Sequence, residues 1–121
     1  MITGLHHAQI TIPTGEEVKA KSFYLDLLGF EEIPKPDTLK RRGGFWMKVG
    51  EDDVHVGTEE GFDRRQTKAH LAYQVTDLES WREVLKREGI QTEDGPLIPG
   101  YIRFEFRDPF GNRVEFIQAI P

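Results

Sequence analysis

A chain of 121 residues with 37% hydrophobic and 31% charged residues has the make-up of one globular domain with its own core, and none of its apolar runs approaches the length that crosses a bilayer. A net charge of −5 and a pI near 5.4 speak against a broad phosphate-binding surface, so neither nucleic acid nor a membrane is an expected partner. The lack of cysteine excludes a disulfide scaffold, a thiolate metal site and a cysteine nucleophile, and with no secretory pattern in the first twenty residues a cytoplasmic location is the expectation.

The first predicted element is a strand at about 4–12, read from the alternation in GLHHAQITI. Successive strand side chains face opposite sides, so His6 travels with Ala8, Ile10 and Ile12 as a core or boundary residue, while His7 shares a polar face with Gln9 and Thr11. The segment TGEEVKAKSFYLDLLGF predicts a helix: Thr14 with Glu17 three residues on forms a capping box, Gly29 supplies a left-handed stop, and Ala20, Phe23, Tyr24, Leu27 and Leu28 make the buried stripe. After a connection around Pro34 and Pro36 come a strand near 44–49, an acidic turn GEDD and a short strand VHVG. The basic spots Lys40, Arg41 and Arg42, and Arg64 and Arg65, are expected in solvated loops or over a cleft, where they would steer an anionic small molecule.

The second half repeats this order. KAHLAYQV predicts a strand, Asp77 an N-cap, and LESWREVLKREG a helix that ends at Gly89 with Leu78, Trp81, Val84, Leu85 and Ile90 apolar. The strands RFEFRD and RVEFIQ follow, joined by the turn DPFGN. His7 and His70 lie 63 residues apart, as do Thr14 and Asp77; beyond the helices Gly29 and Gly89, Pro36 and Pro96, and His55 and Glu115 lie 60 apart. One three-residue difference within the helix explains both offsets, and the chain is read as an internal duplication with modules at 1–60 and 66–121.

The duplication singles out four polar residues. His70 shares its face with Ala72 and Gln74, Glu115 points away from Val114 and Phe116, and His55 lies between Val54 and Val56, so His7, His55, His70 and Glu115 all fall on the side of their sheets opposite the helices. Each alone suits a solvated hairpin or edge position. On a concave face the four converge as imidazole and carboxylate ligands for a divalent ion such as zinc, iron, nickel, cobalt or manganese. Tyr101, Arg103, Glu105 and Arg107 alternate with Ile102, Phe104 and Phe106, which gives either a polar lining near the cleft, with Arg103 available to an anionic group and Trp46 and Tyr101 beside it, or a solvent-facing sheet surface.

The segments GLHHAQITI, KSFYLDLLGF, KAHLAYQVTDLES and DPFGNRVEF resemble the glyoxalase, bleomycin-resistance and extradiol-dioxygenase superfamily, the vicinal oxygen chelate proteins, over essentially the whole chain. The resemblance implies an α+β fold of two βαβββ modules forming a cup-shaped mixed sheet around a divalent metal, with His7, His55, His70 and Glu115 at the ligand positions and Glu115 also catalytic. It further implies a homodimer, in many members with a metal site that combines modules of two chains. The activities it implies are lyase or isomerase chemistry, or thiol transfer, on a small oxygen-rich substrate. Its glyoxalase I members usually carry a glutamate where this chain has His55, its fosfomycin transferases a tail beyond the last ligand, and its ring-cleaving dioxygenases a longer chain. The alternative is a drug-binding protein without catalysis, as among bleomycin-resistance members.

Overall fold

Each half of the chain runs as a strand, a helical segment and three further strands, because a parallel strand pair cannot be closed by a tight turn and needs a crossover. The computed structural model describes residues 1–121 and divides into the units Met1–Phe62 and Asp63–Pro121. In the first, β1 (His7–Ile12) leads through α1 (Glu17–Lys21) and a π-helical turn at Ser22–Leu27 to β2 (Glu31–Ile33), a 3-10 turn at Asp37–Arg42, β3 (Phe45–Val49) and β4 (Asp52–Thr58). The second holds a 3-10 turn at Arg64–Gln66, then β5 (His70–Gln74), α2 (Leu78–Arg87), β6 (Glu93–Asp94), β7 (Tyr101–Arg107) and β8 (Arg113–Ala119). The sheet orders are β1-β4-β3-β2 and β5-β8-β7-β6, each with its first pair parallel and the rest antiparallel.

The register carries the duplication to single residues. Gln9 lies opposite His55 and Ala72 opposite Glu115, which reproduces the offsets of 63 and 60. Phe45 pairs with Val56 and Phe104 with Phe116, so β3 and β7 match at an offset of 59, the extra residue of spacing being taken up in the longer DPFGN turn. Core positions coincide accordingly: Phe45, Met47, Val54 and Val56 are buried in one sheet, and Phe104, Phe106, Val114 and Phe116 in the other. Ala20, Phe23, Tyr24 and Leu28 bury the helical stripe of the first unit. In the second, α2 buries Leu78 and Leu85, sets Trp81 edge-on to Phe116, and lays the Arg82 guanidinium over Phe104. No helix is long and apolar enough to cross a membrane.

Several local expectations change. The capping box at Thr14 is not formed: α1 starts at Glu17 without a side-chain cap, the Thr14 amide donates to Glu60 at 2.6 Å, and a Glu17 oxygen accepts from the Gly44 amide at 3.2 Å. Partners that only the folded chain brings near, the Glu60 carboxylate as acceptor and the Gly44 amide as donor, have displaced the local ones. The regular helix expected through Phe23 and Tyr24 is wound wider there, with the Leu28 amide bonded to the Phe23 carbonyl at 3.0 Å, and both aromatic side chains are buried. His6 is exposed and precedes β1, since pairing with β4 begins only at His7. Arg64 is not in a solvated loop but buried in its 3-10 turn. Asp77 caps α2 as expected, accepting from the Ser80 amide at 3.2 Å.

The DPFGN turn is held by one buried carboxylate. Asp108 accepts from the amides of Phe110 and Asn112 at 2.9 and 2.8 Å and from the Asn112 side chain at 2.8 Å. Asp108→Ala leaves these donors without their acceptor and is expected to lower stability by about 2–3 kcal/mol, read as a reduced urea midpoint with unchanged slope. A loss below about 0.5 kcal/mol would show that the turn holds itself.

Candidate functional site

The polar faces of the two sheets carry the same pairing with different chemistry. In the first unit Trp46 on β3 lies directly opposite His55 on β4, and their rings stack at 3.8 Å with planes 2° apart. His7, at the start of β1, covers the other side of His55 at 4.0 Å and 17°. His55 is therefore the middle of a three-ring stack. Its Nε2 is buried without a hydrogen-bond partner, and its pKa is lowered, first by burial and then by the neighbouring His7.

A neutral imidazole with an unengaged nitrogen has the chemistry of a metal ligand, but its lone pair lies in the ring plane. Near-parallel rings 4.0 Å apart keep their lone pairs in separate planes, and an ion about 2.1 Å from each nitrogen cannot lie in both. As placed, His7 and His55 do not chelate one ion together. His7 is exposed, with its Nδ1 3.0 Å from that of His6, so Nε2 is the nitrogen through which it would ligate.

In the second unit the equivalent places hold His70 and Glu115, with Nε2 and Oε1 3.0 Å apart. The Lys68 carbonyl lies 2.9 Å from His70 Nδ1 and can only accept, so Nδ1 carries a proton. Nε2 then faces a carboxylate oxygen, and a proton or a cation must lie between these two acceptors. Donor atoms bound to one divalent ion at about 2.0–2.2 Å stand roughly 3 Å apart, the separation seen here. A carbonyl that fixes the imidazole tautomer is also the usual support of a metal-bound histidine. The pair therefore fits a divalent ion.

Glu115 is buried, and Arg103 Nη1 reaches the same Oε1 at 3.1 Å. Glu105 lies opposite Glu115 on β7, where two like charges would repel; Arg103 Nη1 stands 3.4 Å from Glu105 as well and compensates both. Arg113 then closes on Glu105 through two hydrogen bonds, the one from Nη2 at 2.6 Å. The result is a row of alternating charge, Glu115, Arg103, Glu105 and Arg113, with the His70 imidazole at its head. Tyr101 opens β7, exposed and opposite Ala119, two residues before Arg103 on the same strand face.

Glu105 is held below its usual carboxylate range, first by the Arg113 hydrogen bonds, against a smaller opposing effect of burial. The folded value lies below the ordinary 4.5, so the stabilisation is present above 4.5 and is lost as pH falls through the folded value. Arg113→Ala is expected to cost about 1–2 kcal/mol at pH 6, with the gap to the native chain closing as the pH falls through the lowered Glu105 value in thermal unfolding. A gap that persists at low pH would locate the effect in packing instead.

The candidate ligands thus stand as two pairs, and no group of three or more histidine or carboxylate side chains gathers as a ready-made metal cluster. Trp46 and Arg103 are each in contact with one of the pairs. Arg113, the Lys68 carbonyl and the Gly95 and Pro96 backbone against Arg103 complete the second pair's surroundings beyond the residues expected from the sequence. Arg113 was legible, since it shares the period-2 face of Glu115; the backbone partners carry no such signal.

The family model described as Glyoxalase/Bleomycin resistance protein/Dioxygenase superfamily matches residues 4–116. No curated protein matches the chain. Among solved structures, a glyoxalase family protein from Bacillus anthracis is 41% identical with a TM-score of 0.90, over 99% of this chain and 98% of that one. The fosfomycin resistance protein FosX from Listeria monocytogenes, complexed with Mn(II) and sulfate ion, is 18% identical with a TM-score of 0.79, over 99% and 93%. A variant of it, complexed with Mn(II) and 1S,2S-dihydroxypropylphosphonic acid, is 20% identical with a TM-score of 0.80, over 99% and 95%. At these identities the two FosX structures show the shared fold.

Proposed function

Given that the chain belongs to the glyoxalase/bleomycin resistance protein/dioxygenase superfamily, we propose that it is a divalent-metal-dependent enzyme acting on a small, oxygen-rich, anionic substrate by lyase, isomerase or thiol-transfer chemistry. The observation that carries this is the His70–Glu115 pair, a tautomer-fixed imidazole 3.0 Å from a buried carboxylate with two acceptor atoms facing each other. His70 and Glu115 would hold the ion. When bound, a divalent ion holds adjacent substrate oxygens and stabilises the anion that develops on them.

The chain's own residues supply the rest of the chemistry. Glu115, as a residue that would hold the ion, would also be the carboxylate able to accept a proton from the substrate. Arg103 binds the anionic group of the substrate. In the first unit His55 is clamped between Trp46 and His7, and the stack offers a flat aromatic surface. The Mn(II) and phosphonic acid named for the FosX variant support both an ion and an oxyanion in this fold.

The test is a panel of hemithioacetal, epoxide, acyl-coenzyme A and catechol substrates, each assayed with Mn(II), Zn(II), Ni(II), Co(II) and Fe(II). Turnover of at least one, abolished by a chelator, is the expected result. Binding without turnover across the panel would favour a drug-binding protein, to which the Trp46–His55–His7 stack would offer a planar surface. The proposal includes a homodimer, since β1 and β5 leave unpaired sheet edges. Solution scattering is expected to give twice the 14.0 kDa chain mass; the chain mass alone would contradict it.

A further inference from the structure

We propose that Arg103 is an internal counter-cation of Glu115 that competes with a divalent ion for this carboxylate, and that its displacement by the ion frees it to bind a substrate oxyanion. This rests on the metal reading above and concerns which cation Glu115 holds. Oε1 of Glu115 already has two partners, His70 Nε2 at 3.0 Å and Arg103 Nη1 at 3.1 Å. A divalent ion bound to that oxygen takes the place of the cation it now faces, and it puts two positive charges next to a guanidinium. The two cations therefore compete for one carboxylate, and the guanidinium is the mobile one.

The surroundings of Arg103 are built for such an exchange. Its Nε donates to the Pro96 carbonyl at 3.1 Å, which tethers the stem of the guanidinium independently of Glu115. Its plane lies against Gly95, where a Cβ would stand 2.7 Å from Cζ, so the missing side chain is what leaves room for it. Glu105, the other carboxylate in reach, is engaged by Arg113 through two hydrogen bonds and keeps only a 3.4 Å contact with Arg103. Once Glu115 is committed to an ion, Arg103 keeps little compensation of its own. A phosphonate, phosphate or carboxylate group bound to the ion supplies it. Metal and oxyanion then bind cooperatively, and linkage makes the effect reciprocal.

The test titrates Mn(II) into the full-length native protein and into Arg103→Gln, with inorganic phosphate as the oxyanion probe. In the native protein Mn(II) is expected to raise phosphate affinity, and phosphate to raise Mn(II) affinity. Arg103→Gln is expected to bind Mn(II) about tenfold more tightly, because the competing cation is gone, and to lose most of the coupling to phosphate. Arg107→Gln removes the same charge from the same strand, where Arg107 bonds the Gly111 carbonyl, and is expected to leave both quantities within about twofold. Unchanged or weaker Mn(II) binding by Arg103→Gln overturns the exchange and makes Arg103 a positioning residue for Glu115. Equal effects of both variants overturn it in favour of general charge. A readout without substitution is the nitrogen-15 signal of Arg103 Nε during Zn(II) titration: a shift at stoichiometric metal is expected, and a signal that ignores bound Zn(II) contradicts the release. If the native protein takes up neither ion, the metal reading itself fails and the exchange with it.

Discussion

Gly44→Ala is expected to unfold the first unit, at a cost above about 3 kcal/mol. Gly44 has φ +79°, a left-handed conformation that a Cβ strains, and the added carbon would overlap the Val56 carbonyl oxygen and stand 3.2 Å from the Gly57 Cα. Both obstacles are backbone of β4, the strand that carries His55, so no side chain can swing away. The Gly44 amide also donates to Glu17 and ties the start of β3 to α1. Gly50→Ala is the control: φ is +60° there and nothing lies within 4 Å of the new carbon, so only conformational strain of about 1 kcal/mol is expected. Urea unfolding of both variants distinguishes the two mechanisms. Equal, small losses would show that β3 can shift away from β4.

Glu115→Gln is expected to reduce Mn(II) affinity at least a hundredfold, roughly the upper end of what supporting residues alone contribute, while the chain stays folded. The substitution keeps shape and removes the charge that both His70 and Arg103 face. The loss of stability is set by what Arg103 retains. It keeps the Pro96 carbonyl and the Glu105 contact, so about 1–3 kcal/mol is expected, less than for a buried cation with no second partner. Calorimetric titration beside a thermal melt reads both quantities. Native-like affinity in a folded variant would remove Glu115 from the ligand set, and an unfolded variant would make its role structural.

Most of the architecture was legible because it is written twice. A strand face is decided by alternate residues, so one histidine in each half and two offsets were enough to place His7, His55, His70 and Glu115 at equivalent positions of two sheets. Asp77 was legible as a cap because its donor lies three residues away. Thr14 was misleading for the complementary reason: Glu17 and the Thr14 amide find Gly44 and Glu60, partners that only the folded chain brings near. The alternation on β7 put Arg103 and Glu105 on one face, but not the order of charges across three strands, which depends on side chains reaching diagonally from Arg113 to Glu105 and from Arg103 to Glu115. Nor does residue type reveal that rings stacked at 4.0 Å hold two histidines in parallel planes.

The central claim is that the His70–Glu115 pair is the nucleus of a metal site. Elemental analysis after Mn(II) loading and removal of free ion tests it most directly, on the native protein and on His70→Ala. About one ion per chain in the native protein, and less than roughly a tenth of that in the variant, is the predicted result. No metal in the native protein, or equal metal in both, would contradict it.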